Sequence, residues 1–397
     1  MEMRHAIAVS GIAAALAAMA CGTTPTGPPE SVLVPIVQAD GIPFDGQAIP
    51  DHVLDRLGQS RVVIVGETHH LAEHRQWMAA LVRGLHARGY RELLMELPHM
   101  VDWLLVDFVL DRNPVTNWEL PEDLGGELLK AVRDFNRTVP DGEKFLVRAI
   151  DANLDEYGGT DAFLDLFGWY VNLLPDPGPI ATFFSSPYDT PARQTAAIES
   201  LREDLEAQRD ELRLAWGTSA FETVSGIVEV EQASVPIRAD RHDRYDASVR
   251  AREEVIKQLC DARIGVNPSG IIINIGGNHA QKTRFKGTDL EWLGDYLAHR
   301  SPAAGGSVFV LAVTAARIVS PDGSRTLYDL GASPPNELFR VMGETWPNRT
   351  VLLPLDDPLF TNESVLVNFE AEIYSTRLKL VYDAVLQYPL AHRDPGI

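Results

Sequence analysis

Residues 61–77 read RVVIVGETHHLAEHRQW, and this stretch decides the fold that we predict. A β-branched run ends at Gly66, which is typical of a strand buried on both faces of a parallel sheet. Glu67, His69 and His70 follow directly, before a segment whose apolar residues recur at helical spacing. In open α/β sheets, ligands bind outside the carboxyl ends of the strands. The stretch therefore predicts a strand, a polar site and a helix, in that order.

Strands and helices continue to alternate along the chain. Further apolar runs with strand character lie at 91–97, 144–151, within GIIINIGGNHA, at 307–316 and at 349–355. This alternation predicts an α/β fold with a mostly parallel central sheet flanked by helices. Residues from about 156 to 240 are helix and loop, which we interpret as a helical insertion over the carboxyl edge of the sheet.

The charge of the chain excludes some partners. It has 397 residues, of which 45% are apolar and 23% charged, with a formal net charge of −21. Nucleic-acid binding needs a basic face to neutralise phosphates, so we expect no nucleic-acid partner. Electrostatic attachment to anionic lipid is disfavoured for the same reason.

The N-terminus has the layout of an export signal. A charged start, a short apolar run and Cys21 resemble a bacterial lipoprotein signal. We predict a signal peptide at 1–20, lipidation of Cys21, a tether at 21–45 and one domain at 46–397. The protein would then sit in the bacterial cell envelope, touching the membrane only through its lipid anchor. A plain secretory signal, leaving the protein periplasmic or secreted, is the alternative.

Chemistry-bearing residues follow four of the predicted strands. The first strand is followed by Glu67, His69 and His70, and the next ones by Glu96, by Asp151, and by Asn278 and His279. Ionisable groups lose hydration when partly buried, so repeated placement at one edge is hard to explain by packing. This convergence predicts a functional site there.

Each member also has a structural interpretation. His70 fits a solvated helix start, and Glu67 fits an acceptor of backbone N–H groups at that helix. Glu96 could pair with an arginine such as Arg75 or Arg91. Asp151 could cap the segment that follows it.

Two motifs carry a family resemblance. Gly66-Glu67-Thr68-His69 and Gly276-Gly277-Asn278-His279, with Glu96 between them, resemble the superfamily of erythromycin esterases, ChaN-like haem-uptake lipoproteins and Tiki/TraB proteins. Arg252-Glu253 is similar to an Arg-Asp pair common in these proteins. The resemblance covers roughly residues 55 to 315. The G-E-T-H spacing is nearer to the ChaN and Tiki pattern than to the esterase pattern.

The resemblance implies a hydrolase of an ester, lactone or amide, acting on a small molecule or peptide. In one route His69 and His279, with Glu67 or Glu96, bind a divalent metal that activates water. In the other, His69 or His279 is a general base oriented by Glu67 and Glu96, and no cofactor is needed. Arg252 or Asn278 would then stabilise the oxyanion.

The ChaN branch implies a different activity. It would make the protein a haem- or iron-binding envelope lipoprotein, with His70 or His74 as the axial ligand. An inactive scaffold is the third possibility. Together, His70, His74, Asp151 and Asn278 are the candidate binding residues beside the catalytic set.

Overall fold

The computed structural model describes residues 27–112, 124–241, 243–283, 289–330, 337–369 and 372–393. The predicted signal peptide and the predicted lipidation site Cys21 lie outside these residues, so both stay predictions. Within the described part of the chain, no helix is long and apolar enough to span a membrane.

The largest sheet of the described residues has eight strands. In spatial order they are β1 (Ile42–Phe44), β9 (Thr350–Pro354), β12 (Ala384–Tyr388), β6 (Val308–Ala315), β2 (Val62–Glu67), β5 (Gly270–Gly276), β3 (Tyr90–Pro98) and β4 (Leu146–Asp151). The strands from β12 to β4 are parallel, whereas β9 is antiparallel to both neighbours. The predicted mostly parallel sheet is confirmed.

Helices cover both faces of this sheet, which is why its central strands are almost continuously apolar. Val63, Val65 and Ile272 point to the first face and belong to one buried cluster. Ile64 and Ile273 point to the second face and belong to another buried cluster. The first face carries α2 (Asp51–Leu57), α3 (Ala72–His86), α4 (Asp102–Val109) and α5 (Gly126–Asn136). The second carries α1 (Glu30–Asp40), α11 (Tyr245–Val266), α12 (Leu293–His299), α13 (Glu337–Thr345), α14 (Pro358–Asn362) and α15 (Leu378–Val381).

The predicted tether is partly folded. Helix α1 buries Leu33 and Val37 against the second face, and β1 pairs with β9 at the edge of the sheet. The prediction of a tether over 21–45 is therefore wrong for residues 30–44. The helix has no polar N-cap side chain and contains Pro35, so its sequence carries weak helix signals.

The insertion between β4 and α11 is helical. It contains α6 (Gly159–Val171), α7 (Ile180–Phe183), α8 (Pro191–Ala207), α9 (Arg209–Trp216) and α10 (Thr218–Asp240). Helices α6 and α10 contact the short turn His99–Val101 that directly follows β3, at the carboxyl edge. Fully buried Glu231 on α10 accepts hydrogen bonds from Asn153 Nδ2 (2.9 Å) and Tyr188 OH (2.9 Å) and pairs with Arg238. This buried network fixes the insertion to the chain after β4.

The C-terminal segments return to the start of α3. Strands β7 (Arg317–Val319), β8 (Thr326–Asp329) and β13 (Ala391–His392) form a small sheet, and β10 (Val365–Phe369) and β11 (Glu372–Thr376) form a hairpin. The backbone N–H of His392 and its ring Nδ1 both contact the carboxylate of Glu73, at 2.7 and 2.6 Å. These contacts connect strand β13 to the first turn of α3.

Candidate active site

The carboxyl ends of four neighbouring strands, β2, β5, β3 and β4, meet at one edge of the sheet. Glu67 is the last residue of β2 and lies opposite Gly276, the last residue of β5. The first strand thus extends one residue past Gly66, where the apolar run of the sequence ends. Glu96 sits at a register shift near the end of β3, a feature that re-aims side chains. Asp151 ends β4.

A cavity of about 540 Å³ opens at this edge. The polar side chains that border it include Glu67, His69, Glu96 and Arg252, all predicted from the sequence. Tyr157, from the start of the insertion, also borders it. The structure thus brings these four side chains together at the carboxyl edge of the sheet.

Glu67 holds His69 in place. Its Oε1 lies 3.0 Å from His69 Nδ1, and its Oε2 accepts from Asn274 Nδ2 (2.8 Å) and lies 3.1 Å from His74 Nε2. Burial alone would raise the pKa of Glu67, but the hydrogen bonds from His69 and His74 hold it well below its usual range. Glu67 is therefore an ionised acceptor that places the ring proton of His69 on Nδ1.

The other ring nitrogen of His69 lies against the end of β5. A Cβ atom added to Gly276 would be 2.6 Å from His69 Nε2 and 3.2 Å from Glu96 Oε2. Only glycine leaves room for the imidazole beside the strand end at this position. The side chain of His69 is 43% exposed, so the ring is also open to the cavity.

We expect Gly276→Ala to impair catalysis without unfolding the protein. The new methyl group would meet the end of a partly exposed side chain, which can move away at little cost in stability. A displacement of about 1 Å in a catalytic group can lower the rate about 10²-fold. Initial rates and melting temperatures would be compared with Gly142→Ala, where an added Cβ meets nothing within 4 Å. Unchanged activity in Gly276→Ala would show that the activity does not depend on the position of His69 beside Gly276.

His279 has different surroundings from His69. It is buried, its Nδ1 lies 2.5 Å from Glu253 Oε2, and its Nε2 lies 3.4 Å from Glu96 Oε1. Burial would lower the pKa of His279, but the charges of Glu253 and Glu96 raise it overall. The two carboxylates therefore favour the protonated form of His279.

Arg252 joins the ends of β3 and β4. It donates from Nε to Asp151 Oδ1 (2.9 Å) and from Nη2 to Asp151 Oδ2 (2.6 Å), and Nη2 also contacts Glu96 Oε1. Glu96 Oε2 accepts from the Gly276 N–H (2.6 Å). Burial would raise the pKa of Glu96, but the charges of His279 and Arg252 lower it. Asp151, fully buried, therefore positions Arg252, and Glu96 pairs with Arg252 rather than with Arg75 or Arg91.

The predicted metal ligands do not fit a divalent ion. The guanidinium of Arg252, a fixed positive charge, contacts the Glu96 carboxylate that the metal would need. Both nitrogens of His279 face carboxylates. Among the described residues, no group of three His, Cys, Asp or Glu side chains is arranged to hold a metal. These contacts give no support to a metal at His69, His279 and Glu96, which stays a prediction.

His74 does not fit a haem ligand either. It is 3% exposed, with Nε2 2.8 Å from Asn274 Oδ1 and Nδ1 3.2 Å from Tyr388 OH. Both ring nitrogens are thus used inside the protein. His70 borders the cavity with a left-handed backbone (φ 65°). Burial lowers its pKa, and its role as a ligand stays a prediction.

Several residues at the site were not predicted. Asn274 interrupts the isoleucine run of β5, and a polar residue inside a doubly covered strand was a signal that could have found it. Glu253 was visible only as part of the Arg252-Glu253 motif. Nothing local in the sequence marks Tyr388 or Tyr157. Asn278, predicted as an oxyanion donor, accepts a hydrogen bond from Gln281 Nε2 (3.4 Å).

Neither a protein family model nor a curated protein sequence matches the chain. Solved protein structures, in contrast, match the chain. A Bacillus cereus protein has a TM-score of 0.65 at 15% identity, over 93% of this chain and 99% of that one. A histidine-to-asparagine mutant of the erythromycin esterase EreC, in its open conformation, has a TM-score of 0.61 at 17% identity, over 86% and 94%. Haem-bound ChaN of Campylobacter jejuni has a TM-score of only 0.30, at 11% identity, over 69% and 91%. At these identities the likeness concerns architecture alone: the chain has the fold of erythromycin esterase EreC.

Proposed function

We propose that the protein is a hydrolase of the erythromycin esterase-like superfamily that cleaves an ester or lactone by general-base catalysis at His69. The observation that carries this proposal is the Glu67–His69 pair, in which an ionised, partly buried carboxylate orients a histidine open to a cavity. A base oriented by a carboxylate is the arrangement that activates water or a hydroxyl in many hydrolases. The fold shared with EreC supports the same reaction class.

The reaction follows from the protonation states. With its proton on Nδ1, His69 presents the lone pair of Nε2 and removes a proton from water as the water oxygen attacks the carbonyl carbon. The tetrahedral intermediate then expels the alcohol oxygen, which takes the proton back from the imidazolium of His69. Glu67 stabilises that imidazolium because it stays ionised.

Arg252 and Tyr157 would stabilise the negative charge on the carbonyl oxygen. The guanidinium of Arg252 borders the cavity and is held rigidly by Asp151 and Glu96, so it needs little reorganisation during the reaction. Burial raises the pKa of Tyr157, which keeps its hydroxyl a hydrogen-bond donor. Both groups are positively charged or proton-bearing at neutral pH, as an oxyanion site requires.

His279 suits a supporting role better than that of the base. A general base must be unprotonated at the working pH, whereas the two carboxylates beside His279 favour its protonated form. As an imidazolium it lowers the pKa of Glu96, which in turn holds Arg252. Our proposal therefore assigns the role of general base to His69 rather than to His279.

The proposal is tested by a panel of esters, lactones and amides, each assayed with the purified protein and with His69→Ala. Hydrolysis of at least one ester or lactone by the wild type, and its loss in the variant, is the expected result. A panel in which the wild type and the variant are equally inactive or equally active would overturn the proposal.

A further inference from the structure

Aliphatic side chains form part of the cavity lining, beside its charged residues. The apolar side chains come from the residue before α3, from the middle of α3, from β3, from α5 and from the segment that precedes α5. They are Leu71, Met78, Met95, Leu97, Leu128 and Leu124. All are buried and belong to the core cluster of the first face. Methionine side chains adapt their shape to irregular apolar groups. This wall fits a flexible aliphatic chain.

The charged wall carries more carboxyl groups than guanidinium groups. Among the described residues that border the cavity, Glu67, Glu96 and Glu156 supply three carboxyl groups, against the guanidinium groups of Arg75 and Arg252. Arg252 is paired with buried Asp151, and Glu156 is paired with Arg241. The whole chain carries a formal charge of −21, which lowers the local concentration of approaching anions.

From these two walls we infer that the natural substrate is an uncharged ester or lactone with an aliphatic acyl part, and that anionic esters are rejected. The acyl chain lies along Met78, Met95 and Leu128, and its carbonyl group lies between His69 and Arg252. This inference rests on the proposed function, since it assigns the substrate class of the same site.

The sharpest test compares two esters of equal chain length. The first is p-nitrophenyl hexanoate, and the second is the mono-p-nitrophenyl ester of adipic acid, whose far end is a carboxylate. We expect kcat/KM at least about tenfold higher for the neutral ester at low salt, because like charges in an enclosed site repel. The ratio should shrink at high ionic strength, since salt screens the charge of the chain.

Chain length tests the aliphatic wall. From acetate to hexanoate, kcat/KM of the p-nitrophenyl esters should rise by up to about fourfold per methylene, as burial of each methylene in an apolar site implies. Leu128→Phe fills part of the wall and should shift the preferred chain to shorter esters. A flat dependence on length in the wild type would overturn the aliphatic assignment.

Glu156→Gln tests the charged wall. It removes one carboxyl group from the cavity and should narrow the ratio between the neutral and the anionic ester. Glu199→Gln is the matched control, because it changes the net charge equally but lies exposed on α8. Equal ratios in wild type and Glu156→Gln, or a preference of the wild type for the anionic ester, would overturn the inference.

Binding separates this inference from the proposed function. Saturation-transfer NMR with hexanamide and hexanoate, which differ in charge but not in length, reports selection without catalysis. If no ester is hydrolysed, the proposed function fails, and preferential binding of hexanamide would still support the selectivity. Equal binding of the two compounds would contradict it whatever the enzyme assay shows.

Discussion

Replacing His69 by alanine should lower kcat/KM for the best ester substrate by about 10² to 10⁴-fold, the usual contribution of a general base. The fold should tolerate the change. The side chain is 43% exposed, and exposed ion pairs contribute at most about 1 kcal/mol to stability. Glu67 keeps its hydrogen bonds with Asn274 and His74, so the partly buried carboxylate stays satisfied when His69 is removed. Initial rates measure the loss of activity, and far-UV circular dichroism and the melting temperature show whether the fold is kept.

A neighbouring histidine provides the control. His70 also borders the cavity, and asparagine tolerates its left-handed backbone, so His70→Asn should lose much less activity than His69→Ala. Imidazole added to His69→Ala should restore part of the rate, because it can enter the space left by the ring. If His69→Ala keeps its activity while His279→Gln loses it, the base is His279 and our assignment is wrong.

The architecture could be predicted from the sequence because its central strands are covered on both faces. Strands β2 and β5 are apolar at almost every position, which few other environments allow. The amino-acid pattern of a strand does not reveal the direction in which it pairs, so the antiparallel orientation of β9 could not be predicted. Strand β12 was missed although its pairing with β6 and β9 places it inside the sheet. A five-residue strand of this kind cannot be told from a loop or a short helix by pattern alone.

The catalytic edge could be predicted because parallel strands end on the same side. The motifs around Glu67 and His279 therefore identified a location, but not the protonation state of each histidine. That state depends on partners supplied by the fold. Glu253 lies 26 residues before His279, and Tyr388 lies 314 residues after His74. Sequence spacing also cannot show that Arg252 contacts the carboxylate of Glu96, one of the predicted metal ligands.

The second large effect concerns stability. His279→Ala should destabilise the protein by about 3 to 5 kcal/mol, the usual cost of leaving a buried charge without its partner. Glu253 is fully buried and would keep only the backbone N–H of Leu293. Chemical denaturation of the two proteins measures the difference directly. A loss below about 1 kcal/mol, within the range of surface ion pairs, would show that the His279–Glu253 pair is not buried as described.

The same pair predicts how stability depends on pH. The folded pKa of His279 is raised above its unfolded value of about 6.5. Its contribution is therefore complete below about pH 6.5 and is lost as the pH rises through the folded pKa. Glu96 acts in the opposite sense, because its folded pKa is lowered. Its contribution to stability is complete above about pH 4.3 and is lost as the pH falls through the folded pKa. Melting temperatures of the wild type should fall between pH 6.5 and 9, and His279→Ala should lack that component.

A double variant separates the lost charge pair from the lost packing. In His279→Ala/Glu253→Gln the buried side chain is neutral, yet its amide oxygen can still accept from the Leu293 N–H. We expect this variant to recover more than half of the stability lost in His279→Ala, because the cost lies in the uncompensated charge rather than in the missing imidazole. If the double variant is as unstable as the single one, packing of His279 against Trp292, whose ring centroid lies 5.2 Å away, carries the effect instead.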